Sequence, residues 1–94
     1  MDVGLGQIVF SKAGRDEGKK FIIVGILDGL NVLVSDGDLR RIEKAKKKKI
    51  KHLNITDNVN QQLKEKLVNN LRVSNSEIRK ALSETADIEN KSEA

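Results

Sequence analysis

Apolar runs separated by glycine-containing turns fill the first part of the chain, and this pattern predicts short β-strands. The runs that we predict as strands are Gln7 to Lys12, Lys20 to Leu27 and Asn31 to Ser35. The turn residues that bound them lie at Gly14 to Gly18, Asp28-Gly29 and Asp36-Gly37. The last two runs are rich in β-branched side chains, which favour strands. Because these runs are continuously apolar rather than alternating, we expect burial on both faces, as in a small sheet that curls into a closed or nearly closed barrel.

Two shorter apolar segments flank a run of lysines. We predict Leu39 to Ile42 and Ile50 to Leu53 as two more short strands, with the lysines between them in a bridging loop or a short helical turn. The predicted fold class is therefore mainly β, with a small five-stranded barrel followed by the helical segments described next.

Beyond Asn54 the apolar period changes to four residues, which predicts an amphipathic helix from about Asp57 to Arg72. A second helix is predicted after it, because Ser74 and Glu77 have the spacing of a capping box. The apolar stripes of the two helices must cover either the barrel or a partner. After about Thr85 the residues are polar and acidic, and we expect them to be frayed.

These patterns divide the chain into three parts. Residues 1–56 form the predicted barrel, with a basic segment at 40–52. Residues 57–86 form a helical appendage, and 87–94 are predicted to be a disordered tail.

Positive charge is concentrated in the basic segment. Eight of the 18 Lys and Arg residues fall within the twelve positions from Arg40 to Lys51. The segment from Arg40 to His52 has a net charge of +7 after Glu43 is counted, whereas the other 81 residues carry a net charge of −3. Such a patch is typical of a domain that binds a polyanion, most often nucleic acid. The alternative is a solvated tail or helix face.

Several classes of protein do not fit this composition. Without cysteine, neither a disulfide framework nor a thiolate metal site is possible, and His52, the single histidine, cannot anchor zinc alone. We find no secretory signal and no apolar run long enough to span a bilayer, so a soluble, cytoplasmic protein with no membrane partner is expected. The chain has no nucleophile with a base and no phosphate-binding glycine motif, which favours a protein that is not an enzyme and needs no small-molecule substrate, cofactor or metal.

The segment from Gly6 to Val24 resembles the KOW motif, in which a strand, a tight loop closed by a glycine, here Gly18, and a second strand follow one another. Three further blocks, Leu33 to Gly37, Arg40-Arg41 and Lys51 to Asp57, are similar to the family of the fourteenth large-subunit ribosomal protein of archaea and eukaryotes. The resemblance covers roughly Val3 to Asp57. It implies an SH3-like barrel that binds RNA.

In that family the loop after the first strand and the cations beside it face the RNA. The resemblance therefore adds four residues to the cations of the basic segment. The candidate RNA-binding residues are Lys12, Arg15, Lys19, Lys20, Arg40, Arg41, Lys44, Lys46, Lys47, Lys48, Lys49, Lys51 and His52. For the loop itself two alternatives remain: Gly14 and Gly18 are also what a plain hairpin requires, and Arg15 has Asp16 or Glu17 as alternative partners.

The aromatic content indicates which kind of RNA is bound. Phe10 and Phe21 are the only aromatic residues, and both lie in predicted strands, where we assign them to the core. Without an aromatic platform for single-stranded bases, the cations are expected to bind phosphates of structured RNA, and we expect the partner to be ribosomal RNA or the ribosome, in a role in translation. The alternative is a protein-binding adaptor of the translation or transcription machinery that uses the C-terminal helices.

Overall fold

A computed structural model describes residues 3–84 of the chain, which form a five-stranded antiparallel sheet followed by two helices. The strands are β1 (Gln7–Ser11), β2 (Lys20–Ile26), β3 (Asn31–Ser35), β4 (Lys46–Lys49) and β5 (Leu53–Val59). The helices are α1 (Gln61–Val68) and α2 (Asn75–Glu84). The predicted class, mainly β with two C-terminal helices, is confirmed. The predicted tail lies outside the described residues.

The strand order in the sheet is β4-β3-β2-β1-β5. Every neighbouring pair is antiparallel. β4 and β5 are the two edges, and within residues 3–84 no ladder joins them, so the full closure of a barrel is not reached. A 3₁₀ turn at Ile50–His52 carries the chain from one edge of the sheet to the other.

The sheet is buried on both faces, as its continuous apolar runs predict. Alternate side chains of the strands form one core on the first face: Val9, Phe21, Ile23, Val32, Val34 and Leu53. On the second face, Ile8 and Ile22 pack with residues of both helices, including Leu63 and Ile78. The helical stripes therefore cover the sheet itself. The helices account for burial of the second face only, since the core of the first face contains strand residues and no helical residue.

The two aromatic residues differ in burial. Phe21 is fully buried in the core of the first face. Phe10 is half-buried and packs against the core beneath the helices. The assignment to the core therefore holds fully for Phe21 and in part for Phe10.

The start of α1 is fixed by Asn60 and Gly6. The Asn60 side chain accepts a hydrogen bond from the Leu63 amide at 3.0 Å, as an N-cap does, and the Asn60 amide donates to the Gly6 carbonyl at 2.9 Å. Gly6 has a φ of +81°, and a Cβ there would lie only 2.8 Å from Cβ of Lys64. Glycine thus permits the close approach of α1.

The predicted first helix was too long at both ends. β5 continues to Val59, which pairs with Gln7 of β1, and the helix begins only at Gln61. It ends at Val68, and Leu71, which the four-residue period placed on the apolar stripe, is exposed beyond the helix.

The capping box of α2 is confirmed. The Glu77 amide donates to Oγ of Ser74 at 3.2 Å, and the Ser74 amide donates to Oε2 of Glu77 at 3.0 Å. Gly37 has a φ of +75° and lies against this end of α2, where a Cβ would come within 2.5 Å of the Asn75 carbonyl oxygen. A lysine of α1, Lys66, also forms an ion pair with Glu77.

The basic segment differs most from its prediction. The lysine run, predicted as a loop or helical turn, is the strand β4, and the predicted strand at Leu39 to Ile42 is absent. Ile42 instead begins a 3₁₀ turn and donates its amide to Oδ1 of Asn75 at 2.8 Å, so it is unavailable to a ladder. The predicted strand at Ile50 to Leu53 is a 3₁₀ turn that leads into β5.

Neither helix described here has the length and apolarity needed to cross a bilayer.

Candidate nucleic-acid interface

The strand β4 presents its four lysines alternately to the two sides of the sheet. It pairs with β3 so that Lys46 faces Val34 and Lys48 faces Val32, both of which belong to the core of the first face. Side chains on paired residues share a face, so Lys46 and Lys48 lie at the rim of that core and are half-buried. Lys47 and Lys49 point the other way and are exposed.

The half-buried lysines meet a carboxylate. Asp16 ends a 3₁₀ turn between β1 and β2, and only 5% of its side chain is exposed. Four cations surround this carboxylate, at nitrogen–oxygen distances of 3.0 Å for Lys46, 3.5 Å for both Arg40 and Lys48, and 3.9 Å for Lys19. We call this group the Asp16 cluster. It joins the β1–β2 loop to the basic segment.

The loop geometry places Asp16 in that position. Gly14 and Gly18 have φ values of +79° and +84°, a region that other residues rarely adopt. The Gly18 amide donates to the Ser11 carbonyl at 2.7 Å and closes the loop. Buried Ser11 also accepts a hydrogen bond from Nζ of Lys48 at 3.3 Å. The connection is therefore a hairpin that contains a 3₁₀ turn, and its glycines serve to aim a carboxylate at β4.

The cluster keeps Asp16 ionised. Burial by itself raises the pKa of this carboxyl, but the hydrogen bond from Lys46 and the positive charges of Lys46, Arg40 and Lys48 outweigh it, so the pKa lies below its ordinary value. An ionised carboxylate neutralises one of the four surrounding positive charges. The remaining excess charge is held in fixed positions.

The segment that precedes β4 is held against α2 by hydrogen bonds to Asn75. The Asn75 side chain accepts a hydrogen bond from the Ile42 amide and donates one to Glu43. This hydrogen bond from Asn75 is the main cause of the lowered pKa of Glu43. Arg41 and Lys44 lie on either side of these contacts, and both are exposed. α2 therefore fixes the backbone from which two of the candidate cations project.

The structure separates the thirteen candidate residues into three groups. The Asp16 cluster holds Lys19, Arg40, Lys46 and Lys48. Lys20 donates from Nζ to the Leu82 carbonyl of α2 at 3.1 Å. The third group is exposed and forms no ion pair within residues 3–84; we call it the free cation group, and it consists of Lys12, Arg15, Arg41, Lys44, Lys47, Lys49, Lys51 and His52.

The loop and the basic segment also meet through the main chain. The Lys12 amide donates to the His52 carbonyl at 3.0 Å, so these two candidates are neighbours. For Arg15 the sequence left Asp16 or Glu17 as alternative partners, and among the described residues it forms an ion pair with neither; the ion pairs of Asp16 are those of the cluster. Asp16 itself was not among the sequence candidates. Its signal in the sequence is an acidic residue inside a glycine-bracketed turn, which became informative only once β4 was known to be a strand.

The fold and this surface define a small β-protein whose open sheet carries a row of cations on one edge strand. No family model matches the chain. Over 71 residues, 76% of this chain and 96% of the relative, it is 35% identical to the "Putative ribosome-binding protein YbzG" of Bacillus subtilis (strain 168). At this identity and coverage, the chain belongs to the family of that protein.

Proposed function

We propose that this protein binds the ribosome by docking on structured ribosomal RNA, with a role in translation or ribosome function. The observation that carries the proposal is the free cation group, above all the outward lysines Lys47 and Lys49 of the edge strand β4. The printed name of the Bacillus relative, which describes ribosome binding, supports the same partner. A ribosome-docking role implies action in the cytoplasm, by binding and without catalysis.

The chemistry of the surface favours phosphate contacts over base reading. Exposed Lys and Arg side chains bind phosphate oxygens and position a protein on RNA without selecting a sequence. Base stacking would require an exposed aromatic ring, whereas Phe21 is fully buried and Phe10 is half-buried against the core beneath the helices. A double-stranded or folded RNA offers closely spaced phosphates to such a surface.

Salt dependence tests the proposal. Each phosphate that a cation neutralises releases condensed counterions, so binding of the wild-type protein to purified ribosomal subunits should weaken steeply as salt rises. The measurement is co-sedimentation with subunits across a salt series, with and without prior ribonuclease treatment. Binding that is insensitive to both salt and ribonuclease would contradict docking on RNA.

A protein-binding adaptor of the translation or transcription machinery is the second candidate function. Val68 at the end of α1 and Leu71 just after it are each 57% exposed, which favours a contact at this end of the helices. In that case binding would survive ribonuclease and would fall when Val68 and Leu71 are replaced by Ser. The free cations would then serve solubility.

A further inference from the structure

The hairpin between β2 and β3 presents an exposed apolar tip. Ile26 is 47% exposed, Leu27 50% and Leu30 75%. These three aliphatic side chains lie within five consecutive positions of one tight connection. Single exposed leucines are ordinary on protein surfaces, but a grouped set marks a contact surface more often.

The tip has a fixed shape. Oδ1 of Asp28 accepts hydrogen bonds from the amides of Leu30 and Asn31 at 2.7 and 2.8 Å, and the Asn31 side chain donates to the same carboxylate. The hydrogen bond from the Leu30 amide is the main cause of the lowered pKa of Asp28. Because the turn is held by its own side chains, little conformational entropy remains to be lost when a partner binds.

The tip is continuous with the cationic edge of the sheet. The Leu30 carbonyl accepts a hydrogen bond from the Ile50 amide at 2.8 Å, and Asn31 pairs with Lys49. Lys49, which pairs with Asn31, and Lys51, which follows Ile50, are both exposed and lie next to these main-chain contacts. An apolar centre with a charged rim is the usual composition of a protein–protein contact.

We infer that the β2–β3 tip is a second docking surface, and that its occupant is a ribosomal protein surface with an apolar pocket bordered by Asp and Glu side chains. The inference rests on the proposed ribosome docking. Aliphatic side chains neither stack on bases as aromatic rings do nor bind phosphates. Binding to RNA therefore does not explain the exposed apolar side chains of the tip. The acidic border follows from charge complementarity with Lys51, which lies outside β4. The protein thus contacts ribosomal RNA with β4 and an adjacent ribosomal protein with the tip.

The test compares a Leu27→Ser/Leu30→Ser variant with a matched control, Leu39→Ser. Leu39 is 70% exposed and lies beyond the opposite end of β3. The probes are purified ribosomal subunits and the protein-free ribosomal RNA extracted from them. We expect the double variant to bind subunits about tenfold or more weakly, since two leucines lose their burial, while its binding to free RNA and its melting temperature stay as in wild type. The control should match wild type on both probes.

Three outcomes would overturn the inference. Unchanged binding of the double variant to subunits removes the tip from the interface, and an equal loss on free RNA makes it an RNA contact. Binding of wild type to phosphatidylcholine/phosphatidylserine vesicles that the double variant loses would make the occupant a membrane surface. If wild type binds neither subunits nor RNA, the proposed function fails as well, which distinguishes that case from the other three.

Discussion

At the scale of single residues, Asp16 determines the role of three of the eight Lys and Arg residues in the basic segment. One carboxylate with 5% of its side chain exposed holds Lys46, Lys48 and Arg40 near the first-face core. Lys46 forms a charge-assisted hydrogen bond with Asp16, a kind stronger than a neutral one, while Lys48 and Arg40 form ion pairs with it; a buried charge left without such partners is costly. Lysines that look alike in sequence therefore differ in role.

Replacing Asp16 with Asn should destabilise the protein by about 1 to 3 kcal/mol at neutral pH, because the charge-assisted hydrogen bond from Lys46 and the ion pairs with the other cations are lost. The folded-state pKa of Asp16 is lowered, so its contribution is present above the ordinary pKa of an Asp and disappears as the pH falls through the folded-state value. The difference in unfolding free energy between wild type and Asp16→Asn should thus shrink toward acid. Chemical denaturation at pH 7 and in a series down to about pH 3 measures it.

Asp38→Asn is the matched control, since Asp38 is exposed and has no ion pair within residues 3–84. It should change stability little at any pH. A constant difference between wild type and Asp16→Asn across the pH series would contradict a stabilising role for the ionised carboxylate.

Gly18→Val should cost about 1 to 3 kcal/mol, because valine is strained at a positive φ. The φ is +84°, and a Cβ at Gly18 would meet nothing within 4 Å, so backbone strain alone is responsible. Gly29→Val is the comparison, since Gly29 also has open space but lacks a positive φ. Thermal melting should separate the two variants, and equal melting temperatures would refute the strain.

At the scale of elements, the strands that the sequence predicts correctly are those with apolar runs bounded by turn residues. β1 and β2 were predicted to within one residue at each end, and β3 without error, because β-branched runs and glycine turns define them. β4 was missed because lysine has a low intrinsic strand propensity, and only pairing with Val32 and Val34 of β3 makes it a strand. The 3₁₀ turn that begins at Ile42 was predicted as a strand, because the side chain that accepts the hydrogen bond of the Ile42 amide, Asn75, lies 33 positions away.

The alternation along β4 predicts opposite effects for two pairs of substitutions. Lys47→Ala/Lys49→Ala should reduce the slope of the logarithm of the RNA-binding constant against the logarithm of salt concentration by about 1 to 2. It should leave the melting temperature unchanged. Lys46→Ala/Lys48→Ala should lower the melting temperature, since both lysines are bound to Asp16, and change the salt dependence less. RNA titrations at several salt concentrations beside thermal melts provide the measurement. Equal effects of the two double variants on salt dependence and on melting temperature would show that the two faces of β4 do not have separate roles.

At the scale of the whole molecule, the two helices pack on the second face of the sheet. The sequence predicted the helices but left open what their stripes cover. Ile8 and Ile22 of the sheet are buried beneath Leu63 and Ile78. The partner of an apolar stripe is a long-range property, which the period of the stripe does not encode.

Ile78→Ala should therefore destabilise the protein by about 2 to 5 kcal/mol, the usual cost of removing a buried isoleucine side chain. Leu71→Ala, at an exposed position, should have little effect. Denaturant unfolding of the full chain measures both. Equal stabilities of the two variants would place the helices outside the cooperative unit.

Because the helices cover Ile8 and Ile22 of the sheet, a chain truncated after Thr56 should fail to fold. Binding assays therefore require the full chain.

The open edge of the sheet has a consequence for the behaviour of this protein in concentrated solution. A strand at the edge of a sheet offers the unpaired backbone amides and carbonyls of its outer side to any other strand, which is a route to aggregation. β4 is such a strand, and its four consecutive lysines repel a second copy of the same edge. The charge that we assign to RNA phosphates thus also keeps the chains apart while they are unbound. Neutralising the row would remove an attraction to RNA and a barrier to self-association together.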